Sequence, residues 1–160
     1  VSSETKLNDW PIRKDMPGNT LGTPSNPIAG FLDPGLAAGY PLTVTTTGVA
    51  LCNALVVTSD GVTPIVLMAQ CSLSNTGANT VACYSEVLEG ATVLASSGLQ
   101  DVSLTSGHAV VVIARPIVLS AGSHTLTFSA FKNAATGAVT AIANGTGSGI
   151  DTFFRVLTFA

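Results

Sequence analysis

Polar and apolar residues change rhythm at Pro41. From Leu42 onward the dominant period is two, the spacing of a β-strand with one buried face. Leu42–Thr47 reads Leu-Thr-Val-Thr-Thr-Thr. Val49–Ser59 is a second candidate strand, stopped by the turn pair Asp60-Gly61. Pro64–Ser74 and Asn79–Glu89 flank a Ser-Asn-Thr-Gly-Ala-Asn loop and are predicted to pair as a hairpin. Ala91–Ser96 and Leu99–Thr105 are shorter strands separated by Ser-Gly. His108–Leu119 is long and apolar, interrupted by Arg115-Pro116. Proline lacks the ladder N–H, which places this strand at an edge or at a bulge. Ser123–Lys132 alternates, with Leu126, Phe128 and Ala130 on one face and Thr125, Thr127, Ser129 and Phe131 on the other. A weak strand at Ala138–Ala143 lies inside the small, Gly-rich stretch Ala134–Gly149. Ile150–Phe159 carries Phe153, Phe154, Val156, Leu157 and Phe159, and a strand this apolar is predicted to sit centrally in a sheet.

These segments make eight or nine strands with no amphipathic helix among them. The spacing predicts an all-β fold, an antiparallel two-sheet sandwich or a barrel. No internal repeat points to a propeller or a β-helix.

Residues 1–41 are built differently. Prolines at 11, 17, 24, 27, 34 and 41 recur with glycines at 18, 22, 30, 35 and 39. Each proline fixes φ and biases its predecessor toward extended geometry, so neither a helix nor a central strand runs through the segment. Yet Leu7, Trp10, Ile12, Met16, Leu21, Ile28, Phe31, Leu32 and Leu36 punctuate it, a richer set of apolar residues than disordered tails carry. The reading is an extended N-terminal arm, 1–41, that lies across another surface, joined to a β-sandwich domain, 42–160. Trp10, Ile12, Phe31 and Leu32 are the expected partner-binding anchors.

Composition sharpens the contrast. Charged residues make up 9% of the chain, against about 25% in an average soluble domain. Seven of the fifteen charges lie in residues 1–41. A surface this neutral has little repulsion to keep copies apart, which favours a subunit whose faces are covered by neighbours. The net charge is −3 and Arg13-Lys14 is the only adjacent basic pair, so the clustered basic footprint of a nucleic-acid binder is missing. No apolar run approaches the ~20 residues of a membrane-spanning helix. No secretory signal is visible at the start, although a processed chain would look the same.

The candidate chemistry is thin. Cys52, Cys71 and Cys83 are an odd number without metal-type spacing and read as buried small hydrophobes. If the 75–79 turn centres on Gly77, Cys71 and Cys83 face each other across a hairpin and a disulfide is feasible. His108 and His124 lack the further ligand a metal site needs and read as strand-edge residues with satisfied or solvated nitrogens. Serines abound, but no Gly-x-Ser-x-Gly elbow feeds a helix. Glu86 and Glu89, three apart on a strand, point to opposite faces and do not form an acid/base pair. Gly145–Gly149 precedes a strand and has no adjacent lysine, so it reads as a loop rather than a phosphate cradle. Asn144-Gly-Thr146 fits the glycosylation acceptor pattern, which matters only in a eukaryotic secretory context. Arg115 and Arg155 sit in apolar strands, so each either meets a carboxylate, with Asp101 and Asp151 as candidates, or faces a neighbouring subunit. No catalytic, cofactor or metal site is expected.

Ile117-Val-Leu-Ser-Ala-Gly-Ser-His-Thr-Leu-Thr-Phe128 resembles the turn-and-strand of C1q/TNF-like jelly rolls and of virion surface proteins. Phe153-Phe-Arg-Val-Leu-Thr-Phe-Ala160 resembles the central C-terminal strand of such domains. With the arm added, the chain is similar to trimeric jelly-roll decoration (cement) proteins of tailed-bacteriophage capsids. The resemblance implies a jelly roll, a homotrimer, location on the capsid surface and the major capsid protein or other virion subunits as partners. It implies no site residues. Sequence reading therefore expects a non-enzymatic structural protein that decorates and stabilises a capsid shell. The alternative is a receptor- or glycan-binding head of a tail fibre or a lectin-like module, with its function in loops such as 134–149.

Overall fold

The computed structural model describes residues 28–103, 107–143 and 151–159. Twelve strands lie among them. They are β1 Ile28–Leu32, β2 Leu42–Thr43, β3 Val49–Ala50, β4 Leu55–Asp60, β5 Ile65–Asn75, β6 Val81–Glu89, β7 Thr92–Ser96, β8 Gln100–Val102, β9 Gly107–Ile117, β10 Ala121–Lys132, β11 Val139–Ile142 and β12 Phe153–Phe159. The first sheet runs β1-β12-β5-β11-β2, with β9 along the other side of β5. The second runs β3-β10-β6-β7, with β4 also on β10 and β8 also on β6. Both are antiparallel. The chain repeatedly crosses between them, β4 in the second sheet, β5 in the first, β6 to β8 in the second, β9 in the first, β10 in the second, β11 and β12 in the first. This is a two-sheet sandwich of jelly-roll type.

The alternation seen in the sequence sets the core. Leu126, Phe128 and Ala130 of β10 are fully buried, as are Phe154 and Val156 of β12 and Leu67, Cys71 and Leu73 of β5. Phe128 and Phe154 meet from opposite sheets with centroids 5.9 Å apart, which ties the layers at their centre. β12 is paired on both sides, by β1 and β5, the central position its composition predicted. β9 pairs only with β5, in unbroken register from Ile65↔Ile117 to Asn75↔Gly107. Pro116 therefore marks an edge and not a bulge.

The expected 64–89 hairpin is not formed. β5 and β6 belong to different sheets, and the residues between them arch from one layer to the other. Gly77 does not take the left-handed φ of a tight hairpin and packs against Ala138 instead. Asn75 builds the arch: its Oδ1 accepts from the Gly77 amide at 2.8 Å, and its Nδ2 donates to the carbonyls of Asn79 and Val102. Cys71 and Cys83 consequently do not oppose each other on a ladder, and all three cysteines are free and buried. Burial pushes the Cys52 thiol up to about 12 and that of Cys83 up to about 11.

Residues 28–41 also depart from expectation. Instead of leaving as part of an arm, they are docked on the sandwich. β1 occupies the interval between Pro27 and Pro34 and adds to the edge of the first sheet beside β12. Leu36, Tyr40 and Leu42 pack against the core, and the Tyr40 hydroxyl donates to the Leu51 carbonyl at 2.7 Å. The prolines bound an edge strand here rather than exclude one. Val49–Ser59 splits into β3 and β4 for a related reason. Leu51 N–H still donates to Phe128 O of β10, but Ala37 N–H donates to Leu51 O and Asn53 N–H to Gly35 O, so residues 51–53 leave the β10 ladder to hold the incoming segment.

Candidate functional site

The outer faces of the two sheets differ in chemistry. In β5, Ile65, Leu67, Ala69, Cys71 and Leu73 point inward and are buried. The intervening positions Val66 and Met68 are apolar as well. β9 repeats the pattern, with Val111 and Ile113 inward and Val110, Val112, Ala114 and Pro116 outward. So does β12, with Phe154 and Val156 inward and Phe153, Leu157 and Phe159 outward.

Register aligns the outward residues into rows, because Cα partners share a face. One row crosses four strands as Phe31, Leu157, Val66 and Pro116. The next is Arg155, Met68 and Ala114, and the third is Phe153, Gln70 and Val112. Phe31 is 53% exposed, Met68 37% and Val112 54%. The second sheet is more mixed: it turns Thr125, Thr127, Ser129 and Glu86 outward beside the Tyr84–Phe131 stack, the pair Leu88 and Val93, and Val56, which is 61% exposed.

A single charge stands on the apolar rows. Arg155 Nε donates to Asp33 Oδ2 at 3.0 Å. Its guanidinium lies over the rings of Phe31 (5.2 Å) and Phe153 (4.8 Å). The arginine is thus laid flat and neutralised, with its stem covering apolar surface. The Gly35 amide, first, and Arg155, second, hold the Asp33 carboxyl below its ordinary value. Of the partners weighed for Arg155, neither Asp101 nor Asp151 is the one found. Asp33 was hidden because it follows a strand that sequence reading assigned to the arm. Arg115 is exposed and makes no ion pair with a described residue.

Beside this face lies an open pocket of ≈ 460 Å³ lined by Asp33, Leu36, Gln70, Asp151, Phe153 and Arg155. The Gln70 side chain donates to the Asp151 carbonyl at 2.8 Å. The pocket holds polar groups of both signs next to an aromatic ring.

The four expected anchors fare differently. Trp10 and Ile12 lie outside the described residues. Phe31 stands on the apolar rows. Leu32 has the opposite parity, faces inward beside Val156 and packs against the core of its own sandwich. Met68, Val112, Val66 and Leu157 went unnoticed as surface residues. Their signal was present, since strands apolar at both parities normally have both faces covered.

The remaining polar candidates are occupied structurally. His124 Nδ1 lies 2.7 Å from Glu89 Oε1 and Nε2 lies 2.8 Å from the Ser120 carbonyl, which leaves no ring nitrogen for a substrate. Among the described residues no three His, Cys, Asp or Glu side chains are placed to hold a metal ion. Asn144-Gly-Thr146 and Gly145–Gly149 lie outside the described residues.

No family model matches the chain, and no curated protein matches it. Among solved structures, Eiger TNF from S. frugiperda is similar at 10% identity and a TM-score of 0.39, covering 72% of this chain and 87% of that one. The infectious bursal disease virus Gx strain is similar at 8% identity and a TM-score of 0.41, covering 81% of this chain. Only 36% of the viral chain is spanned.

Proposed function

We propose that this chain is a non-enzymatic structural protein that works as one subunit of an assembly. Its copies associate, as a trimer, through the outer face of the first sheet, and the assembly decorates and stabilises a capsid shell. The observation that carries the self-association is the set of aligned apolar rows on β1, β12, β5 and β9. A contiguous exposed apolar face rimmed by polar residues marks an association surface. Here it coincides with strands whose sequences are those of doubly covered strands, in a chain with too little charge to resist association. The lone Arg155 does not oppose burial, because Asp33 and two rings already accompany it. Placement on a capsid rests on the resemblance to decoration proteins, with residues 1–27 as the segment that reaches a neighbour.

Light scattering on the purified chain tests the association. The expected mass is a small multiple of 16.1 kDa, and Val112→Glu, which puts an unpaired carboxylate in the third row, is expected to give monomer with an unchanged circular-dichroism spectrum. A wild-type monomer across micromolar concentrations would remove the proposal.

A second reading draws on the pocket beside Arg155. Mixed polar groups next to the Phe153 ring suit a sugar, as in a receptor- or glycan-binding head. Glycan-array binding that is lost in Gln70→Ala would favour that reading over capsid decoration.

A further inference from the structure

His124 sits where one sheet hands the chain to the other. β9 ends at Ile117 in the first sheet and β10 begins at Ala121 in the second. The link between them, residues 118–120, is held by two side chains of the second sheet. The Ser59 hydroxyl donates to the Leu119 carbonyl at 3.1 Å. His124 Nε2 contacts the Ser120 carbonyl at 2.8 Å, while Nδ1 contacts the Glu89 carboxylate at 2.7 Å. The His124 side chain is 9% exposed.

Both partners of the ring are acceptors. A peptide carbonyl has no proton to give, and neither has a carboxylate. A neutral imidazole has one N–H and one lone pair, so it satisfies one acceptor and points a lone pair at the other. Only the imidazolium donates twice. We infer that His124 is held as an imidazolium that latches the β9–β10 crossover to the end of β6, and that the latch opens on deprotonation.

Among the described residues no rival charge faces the ring. On β4, Val57 and Ser59 share its side, and Asp60 is exposed with its oxygens taken by the Val62 and Thr63 amides and the Thr63 hydroxyl. On β6, Glu86 lies on the outer face opposite Ser129. β5 and β7 carry no Asp, Glu, Lys, Arg or His. On β9, His108 and Arg115 are exposed and neither is ion-paired with a described residue. Asp101 of β8 is exposed and pairs with Ala82, and Lys132, at the far end of β10, donates to the carbonyls of Ala135 and Gly137. The Ser120 carbonyl, first, and Glu89, second, raise the His124 pKa. A histidine raised by folding contributes stability that is full below its unfolded value of about 6.5 and is lost as pH rises through the folded value. The latch is therefore closed on the acid side and open on the alkaline side. β9 supplies Val112, Ala114 and Pro116 to the apolar rows, so the latch also steadies an edge strand of the proposed association face.

Nitrogen-detected NMR of the ring in a His108→Gln background reads the protonation state directly. Both His124 nitrogens are expected to be protonated at about pH 7 and to titrate above the ordinary histidine range. Glu89→Gln is expected to lower that midpoint by at least about one pH unit, a tenfold loss of proton affinity. The melting-temperature advantage of wild type over His124→Gln is expected to shrink steadily from about pH 6 to pH 9. A neutral ring with a single N–H at about pH 6.5, or parallel melting curves for the two proteins across that range, would overturn the latch. The NMR readout uses a folded chain with His124 in place, so it stands even if His124→Gln does not fold.

Discussion

Two residues in the same core carry opposite expectations. Phe128 is fully buried on β10 and meets Phe154 across the sandwich. Phe128→Ala removes both the transfer term and the ring contact that joins the sheets, a loss of about 3–5 kcal/mol. Ser85, equally buried on β6, has a hydroxyl with no partner among the described residues. A buried unsatisfied hydroxyl opposes folding, so Ser85→Ala is expected to be neutral or to stabilise by up to ~1 kcal/mol. Urea denaturation of both variants checks the pair, and a clear destabilisation by Ser85→Ala would mean that the hydroxyl has a partner after all. The Phe128 role was legible, because alternation over Ser123–Lys132 assigns it to the inner face. The Ser85 problem was not, because a serine in an alternating strand gives no hint of whether its neighbour across the core is polar. Arg155 is the intermediate case. Its placement in an apolar strand showed that it needed company, but the partner came from Asp33, 122 residues away in the chain.

At the scale of elements, turns and edges decide more than strands do. Gly48 closes the link between β2 and β3 with φ +88°, and a Cβ there would lie 2.3 Å from the Phe131 ring. Gly90 closes the β6–β7 hairpin with φ +58° and open space around it. Gly90→Ala is expected to cost about 1–2 kcal/mol, the strain of a left-handed alanine alone. Gly48→Ala adds the displacement of Phe131 from its stack on Tyr84 and is expected to cost more. Thermal melts rank the two, and equal costs would show that Phe131 moves aside freely. The edge strand β9 carries two devices against unwanted pairing, Pro116 without an N–H and Arg115, an exposed charge at core-side parity. Arg115-Pro116 showed that the strand lies at an edge or a bulge, and the pairing of β9 with β5 alone makes it an edge. The arch between β5 and β6 was not legible in the sequence. Asn75–Asn79 has the residue types of a hairpin turn, and only the Asn75 bonds to Asn79 and to Val102 of β8 decide that the chain crosses layers instead.

At the scale of the molecule, the proposal separates folding from fastening. Residues 28–41 contribute β1 and core contacts, so they belong to the fold of the sandwich. A chain beginning at residue 28 is expected to retain its melting transition and the proposed self-association while losing the proposed attachment to a capsid surface. Co-sedimentation with undecorated shells measures that, and undiminished attachment of the truncated chain would remove residues 1–27, Trp10 and Ile12 included, from the fastening. A chain beginning at 42 would lose β1, Asp33 and Tyr40 and is expected to melt earlier. The all-β class, most strand positions and the inner rows followed from the sequence alone. Period-two alternation is a local property, and every Val, Leu or Phe on an inward position is compelled the same way by water. The pairing of strands, the docking of 28–41, the partner of Arg155 and the two acceptors around His124 came only with the tertiary structure. These depend on which distant segments become neighbours, a choice made by the packing of the whole chain that no window of adjacent residues contains.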